Sequence, residues 1–265
     1  MIDPNISNKV TIVTGANSGI GASTARKLAA QGAKVIIHYL KDTSFPSDES
    51  TFEHTAEGEE AAQIVAKSIE NLPGEAEIID GDLSKSETIE KIFKFAEQTF
   101  GPVEILMNNA AHCELPDTIK DLPEGSVERH FQVNTEAAVL LIKKFTERYE
   151  NYNLSSGRVI NISTDNAQNF PNQISYGASK AALEAYTRSL AVELGPDNIT
   201  VNCIAPGPIQ TGWIDEDLKR QILPSIPLRS LGKPEDIAQC VVFLSSDQAR
   251  WITGEIIKVS GGHAI

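Results

Sequence analysis

Lys9-Val10-Thr11-Ile12-Val13-Thr14-Gly15-Ala16-Asn17-Ser18-Gly19-Ile20-Gly21 is the stretch that decides the fold. Residues 9–14 form a short β-branched run, the pattern of a buried strand. The run enters the glycines at 15, 19 and 21 without a break, and residues 22–31 then read as a helix stopped by Gly32. Strand, glycine turn and helix together present bare backbone N–H groups and a helix N-terminus to a pyrophosphate. A Cβ in the turn would block close approach of the phosphates. The spacing is G-x-x-x-G-x-G. No Gly-Lys-Ser/Thr follows it, so it is not a Walker A loop. An ordinary tight strand–helix turn is the alternative reading.

Outward from this unit, strand patterns at 34–40, 76–80, 103–107, 157–164, 199–204 and 256–259 alternate with helical patterns. The helical stretches are 58–71, 87–99, 125–149, 176–194 and one opened by Lys233-Pro234-Glu235-Asp236. Such alternation predicts an α/β fold: a doubly wound parallel sheet of about seven strands with helices on both faces. A single domain over 1–265 is expected, with an acidic Ser/Thr-rich insertion near 42–60. That insertion reads as a solvated surface segment or a flap over the adenosine end or active site, with His54 exposed and inert.

Composition narrows the function. Of the 265 residues, 41% are hydrophobic and 22% charged, and the net charge of −13 opposes binding to nucleic acid or an anionic membrane surface. No apolar run is long enough to span a bilayer, and no signal peptide is evident. Cys113, Cys203 and Cys240 are scattered without a C-x-x-C, so no disulfide framework or metal site is expected, and free thiols suit the cytoplasm. The chain also lacks G-x-S-x-G and H-E-x-x-H motifs.

Tyr176-Gly-Ala-Ser-Lys180 is the chemical centre. Residues four apart share one helix face. A phenol of ordinary pKa ~10 is pulled toward phenolate by a nearby ammonium. Such a group suits proton exchange in carbonyl/alcohol chemistry. An isolated pair at this spacing is more often surface decoration.

Thr14-Gly15-x-x-x-Gly19-Ile20-Gly21, then Asn108-Asn109-Ala110, then Tyr176-x-x-x-Lys180, occur in the order and spacing of one family. The chain resembles the short-chain dehydrogenase/reductases from Lys9 to His263. That resemblance implies cofactor contacts from Gly15, Asn17, Ser18, Gly19, Ile20 and Gly21. It implies adenine contacts from Asp82 and Leu83; a helix cap, with Ser84 and Ser86 preceding 87–99, is the other reading of this stretch, and the two are compatible. Asn109, Ala110 and Ala111 are expected near the nicotinamide-side ribose, with Ala111 where the family usually has Gly. Pro206, Gly207, Ile209 and Thr211 are expected at the nicotinamide. At the end of the second strand, His38-Tyr39-Leu40-Lys41 puts Tyr39 where a ribose-binding acid would stand, with Lys41 able to pair with a 2′-phosphate. NADP(H) is therefore the expected cofactor and NAD(H) the alternative.

The resemblance further assigns Tyr176 as proton donor and acceptor, Lys180 to the ribose hydroxyls, and Asn134 to a helix distortion with a water that resupplies the proton. The catalytic hydroxyl is Thr164 counted forward from Gly157, or Ser163 counted back from Tyr176. Loops absorb deletions more readily than strands, which favours Thr164. His112 and Cys113 fall at the sheet's carboxyl edge, where they can line a substrate cleft. The 165–173 loop with Phe170 shapes that pocket. A lid is expected near 211–229, with Trp213 facing substrate or anchoring the lid. The expected activity is hydride exchange between NADP(H) and a ketone or alcohol, for which 3-oxoacyl thioesters are one candidate. A non-catalytic NADP-binding sensor is the reading from another class. The glycine-rich tail 260–263 is expected at a subunit contact of a homotetramer or dimer.

Overall fold

The computed structural model describes residues 3–41, 51–52, 58–212 and 214–264. His54, Trp213 and most of the 42–60 insertion, on which expectations were placed, lie outside them.

β1 (Val10–Val13) is buried along its whole length, as a β-branched run at the middle of a two-sided sheet must be. It pairs in parallel with β2 (Lys34–Tyr39) on one side and β5 (Val103–Asn108) on the other. With β4 (Glu75–Asp80), β7 (Gly157–Ile162), β8 (Ile199–Pro206) and β9 (Ile256–Val259), these form a seven-stranded parallel sheet. The order is β4-β2-β1-β5-β7-β8-β9, so the winding reverses between β1 and β5. That reversal opens a crevice at the strands' carboxyl ends. This is a Rossmann-like α/β sheet.

Helices cover both faces. α1 (Gly19–Ala29), α2 (Gly58–Ile69) and α8 (Pro234–Ser245) bury Leu28, Val65 and Val241 in one core. α3 (Ser86–Thr99), α5 (Ala137–Tyr152) and α6 (Ile174–Leu194) bury Phe93, Phe145 and Leu194 in the other. The expected long helix over 125–149 is three pieces: α4 (Ser126–Phe131), a π-helical turn (Gln132–Glu136) and α5. A two-stranded antiparallel ribbon joins β3 (Thr51–Phe52) to β6 (Glu114–Leu115). The described part of the insertion thus meets the chain just after His112 and Cys113. α7 (Glu216–Ile222) falls within the expected lid. No helix among the described residues is long and apolar enough to cross a membrane.

Candidate active site

A cleft of about 1070 Å³ opens where the sheet order reverses. Its floor is the glycine turn. Gly15 sits in left-handed backbone with φ +60, and a Cβ there would stand 2.9 Å from the Ala110 Cα. A Cβ on Gly21 would lie 2.2 Å from the Gly15 carbonyl oxygen, so only glycine fits behind the turn. The turn is stitched to the end of β5. Thr14 Oγ1 accepts from the N–H groups of Asn109 at 2.9 Å and Ala110 at 3.0 Å. Asn109 Nδ2 donates to the carbonyls of Thr14 at 2.8 Å and Gly15 at 2.9 Å. Ala111 is not among the positive-φ residues, so its methyl carries no backbone strain.

His38 ties the turn to the next strand. Gly15 N–H donates to its Nδ1 at 3.3 Å, which makes Nε2 the protonated nitrogen, donating to the Gly81 carbonyl at 2.9 Å. Burial lowers its pKa to about 4, so the ring is neutral in this role.

Three observations fit an anionic dinucleotide. The glycine cradle admits no Cβ. The N-terminus of α1 has no acidic side chain in its first turn and no side-chain cap. Thr211 Oγ1 is buried without a hydrogen-bond partner among the described residues, opposite Gly19, whose Cβ would stand 3.2 Å from Thr211 Cγ2.

Of the residues expected to meet the cofactor, all but Gly21, Tyr39 and Lys41 line the cleft. The last two correct the reading of β2. Strand alternation turns His38 and Leu40 to the cleft, whereas Tyr39 packs into the core under α1 and α2. Lys41 Nζ pairs with Glu59 at 2.9 Å instead of facing the site. Asp82 lines the cleft and also accepts from the N–H and hydroxyl of Ser84 at 3.0 and 2.7 Å.

Tyr176 and Lys180 both line the cleft one helical turn apart on α6. Lys180 is buried, its Nζ lies 5.8 Å from the Tyr176 ring centre, and it donates to the Ile162 carbonyl at 2.9 Å. Burial lowers the Lys180 pKa to about 8. Both candidate hydroxyl residues border the cleft, but Ser163 donates to Glu184 Oε1 at 2.8 Å, directing its hydroxyl under α6. Asn134 sits in the π-helical turn. Three of its four hydrogen-bond positions are taken: Oδ1 accepts from His112 N–H at 2.7 Å, while Nδ2 donates to the His112 carbonyl and Ser179 Oγ, both at 2.9 Å.

Sequence reasoning missed the residue that seats the start of α6, which carries Tyr176 and Lys180. Asp117 is fully buried and caps α6. Its Oδ2 accepts from Ser175 N–H at 2.9 Å and Tyr176 N–H at 3.0 Å, and its Oδ1 from Ser175 N–H at 3.1 Å. A carboxylate at a helix N-terminus stabilises both the free N–H groups and the macrodipole. Nothing local in the sequence marks it, because its partners are 58 and 59 residues away.

Elsewhere on the cleft wall, His112 Nε2 lies 3.1 Å from Glu114 Oε2. Glu114 is fully buried and takes Arg129 in a two-pronged ion pair at 2.6 and 3.1 Å. Burial alone would raise the Glu114 pKa, but Arg129, Ser126 and His112 hold it down at about 2. His130 donates Nδ1–H to the Ser126 carbonyl at 2.8 Å and accepts Glu114 N–H at 3.4 Å. Donor atoms of His112, Glu114 and His130 lie within 4.8 Å of one another. With both Glu114 oxygens held by Arg129, this cluster is a hydrogen-bonded ion-pair network stiffening the cleft wall. Leu218 and Ile222 of α7 also line the cleft.

A parallel sheet with a glycine-rich crossover, and a Tyr–Lys pair in the crevice at its reversal, define a nicotinamide-dependent oxidoreductase. Residues 15–264 match a family model described as enoyl-(acyl carrier protein) reductase. A short-chain type dehydrogenase/reductase of Picea abies is 37% identical over 97% of this chain and 93% of its own. The chloroplastic NADPH-dependent aldehyde reductase 2 of Arabidopsis thaliana is 34% identical over 97% of this chain and 94% of its own. Among solved structures, a blue fluorescent protein from a metagenomic library, in complex with NADPH, superposes with a TM-score of 0.86. It is 30% identical, with 98% of this chain and 100% of that one covered. The chain belongs to the short-chain dehydrogenase/reductase family and is an NAD(P)-dependent oxidoreductase acting on small molecules.

Proposed function

We propose that the protein is an NADP(H)-dependent reductase of small ketones or aldehydes, working reversibly on the corresponding alcohols. The observation that carries this reading is the convergence of Tyr176, Lys180 and Thr164 on the cleft that also holds the glycine turn. A nicotinamide dinucleotide held over the glycine turn would supply or take up the hydride. Thr164 and Tyr176 hold the substrate oxygen by hydrogen bonds, and Tyr176 exchanges the proton at that oxygen. The charged Lys180 beside the ring favours the phenolate form. Asp117 and the Ile162 carbonyl fix where those two side chains stand. Because the Asn134 amide is committed to His112 and Ser179, its contribution is to hold the π-helical turn against α6. A water resupplying the proton would hang from a backbone carbonyl of that turn, where regular helical bonding is broken. Holding both reactants side by side supplies much of the rate gain.

Preference for NADP(H) is supported by the absence of any carboxylate from β2 in the cleft, where an acid would repel a 2′-phosphate. The names of the Arabidopsis and metagenomic relatives point the same way. A homo-oligomer, tetramer or dimer, is part of the same reading. The test is consumption of NADPH and of NADH, each with a panel of ketones, aldehydes and a 3-oxoacyl thioester. Turnover with at least one carbonyl, faster with NADPH, is the expected result. Binding of NADPH with no turnover across the panel would favour a sensor.

A further inference from the structure

Beyond Val259 the chain doubles back toward the cleft. Gly261 and Gly262 both take left-handed backbone, with φ +64 and +88, and a Cβ on Gly262 would lie 2.8 Å from Pro227 Cγ. Leu228 N–H donates to the Gly261 carbonyl at 3.1 Å, so the tail packs directly under the lid segment. Lys258 Nζ donates to the Ala264 carbonyl, and Ser260 Oγ to the His263 carbonyl at 3.0 Å. These contacts deliver the His263 side chain into the cleft, which Thr164 and Asp165 also line.

There His263 Nδ1 meets Asp165 Oδ2 at 2.8 Å, its one side-chain hydrogen bond among the described residues. The Asp165 carboxylate is buried, with 3% of its side chain accessible, and the His263 ring keeps 18%. Asp165 is the residue after Thr164, and its N–H donates to the Pro206 carbonyl at 2.9 Å. The pair is therefore locked to the loop that carries the proposed catalytic hydroxyl. A carboxylate accepts, so Nδ1 carries the proton at this contact and Nε2 is the ring atom left to meet a ligand in the cleft.

We infer that His263 is a specificity-determining residue: its Nε2 accepts a hydrogen bond from a hydroxyl next to the reacting carbon, making hydroxy ketones and their diols the preferred substrates. The inference rests on the reading that Thr164 and Tyr176 hold the reacting oxygen. A site built to pair with a substrate hydroxyl discriminates strongly against the analogue that lacks it, because its own polar group is then left unpaired. Asp165 acts through His263 as a positioning residue.

The experiment compares 2-hydroxycyclohexanone with cyclohexanone, using wild type, His263→Ala and His263→Gln, with NADPH affinity measured in parallel. Wild type should favour the hydroxylated ketone by roughly tenfold or more in kcat/KM, a difference of about 1.4 kcal/mol. His263→Ala should remove that preference, mainly through KM, and leave NADPH affinity within about twofold. The Gln variant, which keeps an acceptor, should restore part of it. No preference in wild type, or a preference that survives in His263→Ala, overturns the inference. If neither ketone is turned over by wild type, the reductase reading fails for these substrates. His263 is then tested by calorimetric binding of 2-hydroxycyclohexanone to the NADPH complex. Equal affinity in wild type and His263→Ala would refute its role.

Discussion

Lys180 Nζ stands 5.8 Å from the centre of the Tyr176 ring, held there by a 2.9 Å hydrogen bond to the Ile162 carbonyl at the end of β7. The ammonium is buried yet close enough to act on the phenol. Burial lowers the Lys180 pKa from 10.5 to about 8, so the folded chain releases this proton before the unfolded chain does. Between those two values the unfolded state binds more protons, and stability therefore rises with pH. Lys180→Met should remove this rise. Unfolding free energies of the cofactor-free protein between about pH 8 and 10.5 check it. A Met variant with the same slope as wild type would assign the rise to other groups.

Ser163 and Thr164 should separate into a stability role and a catalytic one. Thr164→Ala should lower kcat by about a hundredfold or more, as loss of a donor to the reacting oxygen does. Ser163→Ala should leave most of the activity and destabilise the fold by about 1–2 kcal/mol, because buried Glu184 loses its donor. Steady-state kinetics and denaturant melts on both variants decide the matter. The reverse pattern would move the catalytic hydroxyl to Ser163.

His38 should make the protein acid-sensitive. Its folded pKa is lowered to about 4 from 6.5, so the unfolded state takes up a proton in this window and the folded state does not. The associated stability is present above pH 6.5 and is lost as pH falls toward 4. Its size is roughly 3 kcal/mol, at 1.36 kcal/mol per pKa unit. His38→Leu should flatten this window while weakening dinucleotide affinity, since Gly15 N–H loses its acceptor. Melts near pH 7 and pH 4 read the first effect and dinucleotide titration the second. Parallel acid losses in wild type and variant would contradict this role.

Residues 9–21 were readable because β-branched periodicity, glycine spacing and a following helix all agree locally. The π-helical turn at Asn134 was anticipated only through family resemblance, since periodicity alone reads straight from 125 to 149. On β2, alternation dictates that residues 38 and 40 share a face, but nothing in one strand says which face meets the crevice. The sequence alone therefore points Tyr39 at the crevice, whereas its ring packs in the core. The orientation of the Ser163 hydroxyl depends on Glu184, 21 residues away on another element. Asp117 and Tyr176 meet only through tertiary packing, as do His263 and Asp165, 98 residues apart. Paired glycines before His263 were the one sequence signal of a tail that turns back.

The most direct test is Tyr176→Phe, measured for turnover of a ketone accepted by wild type and for NADPH affinity in the same preparation. The variant should bind NADPH within about threefold of wild type and lose at least about a thousandfold in kcat, on the scale of a missing general acid. Turnover persisting within tenfold of wild type, with the cofactor bound, would contradict proton transfer by this phenol.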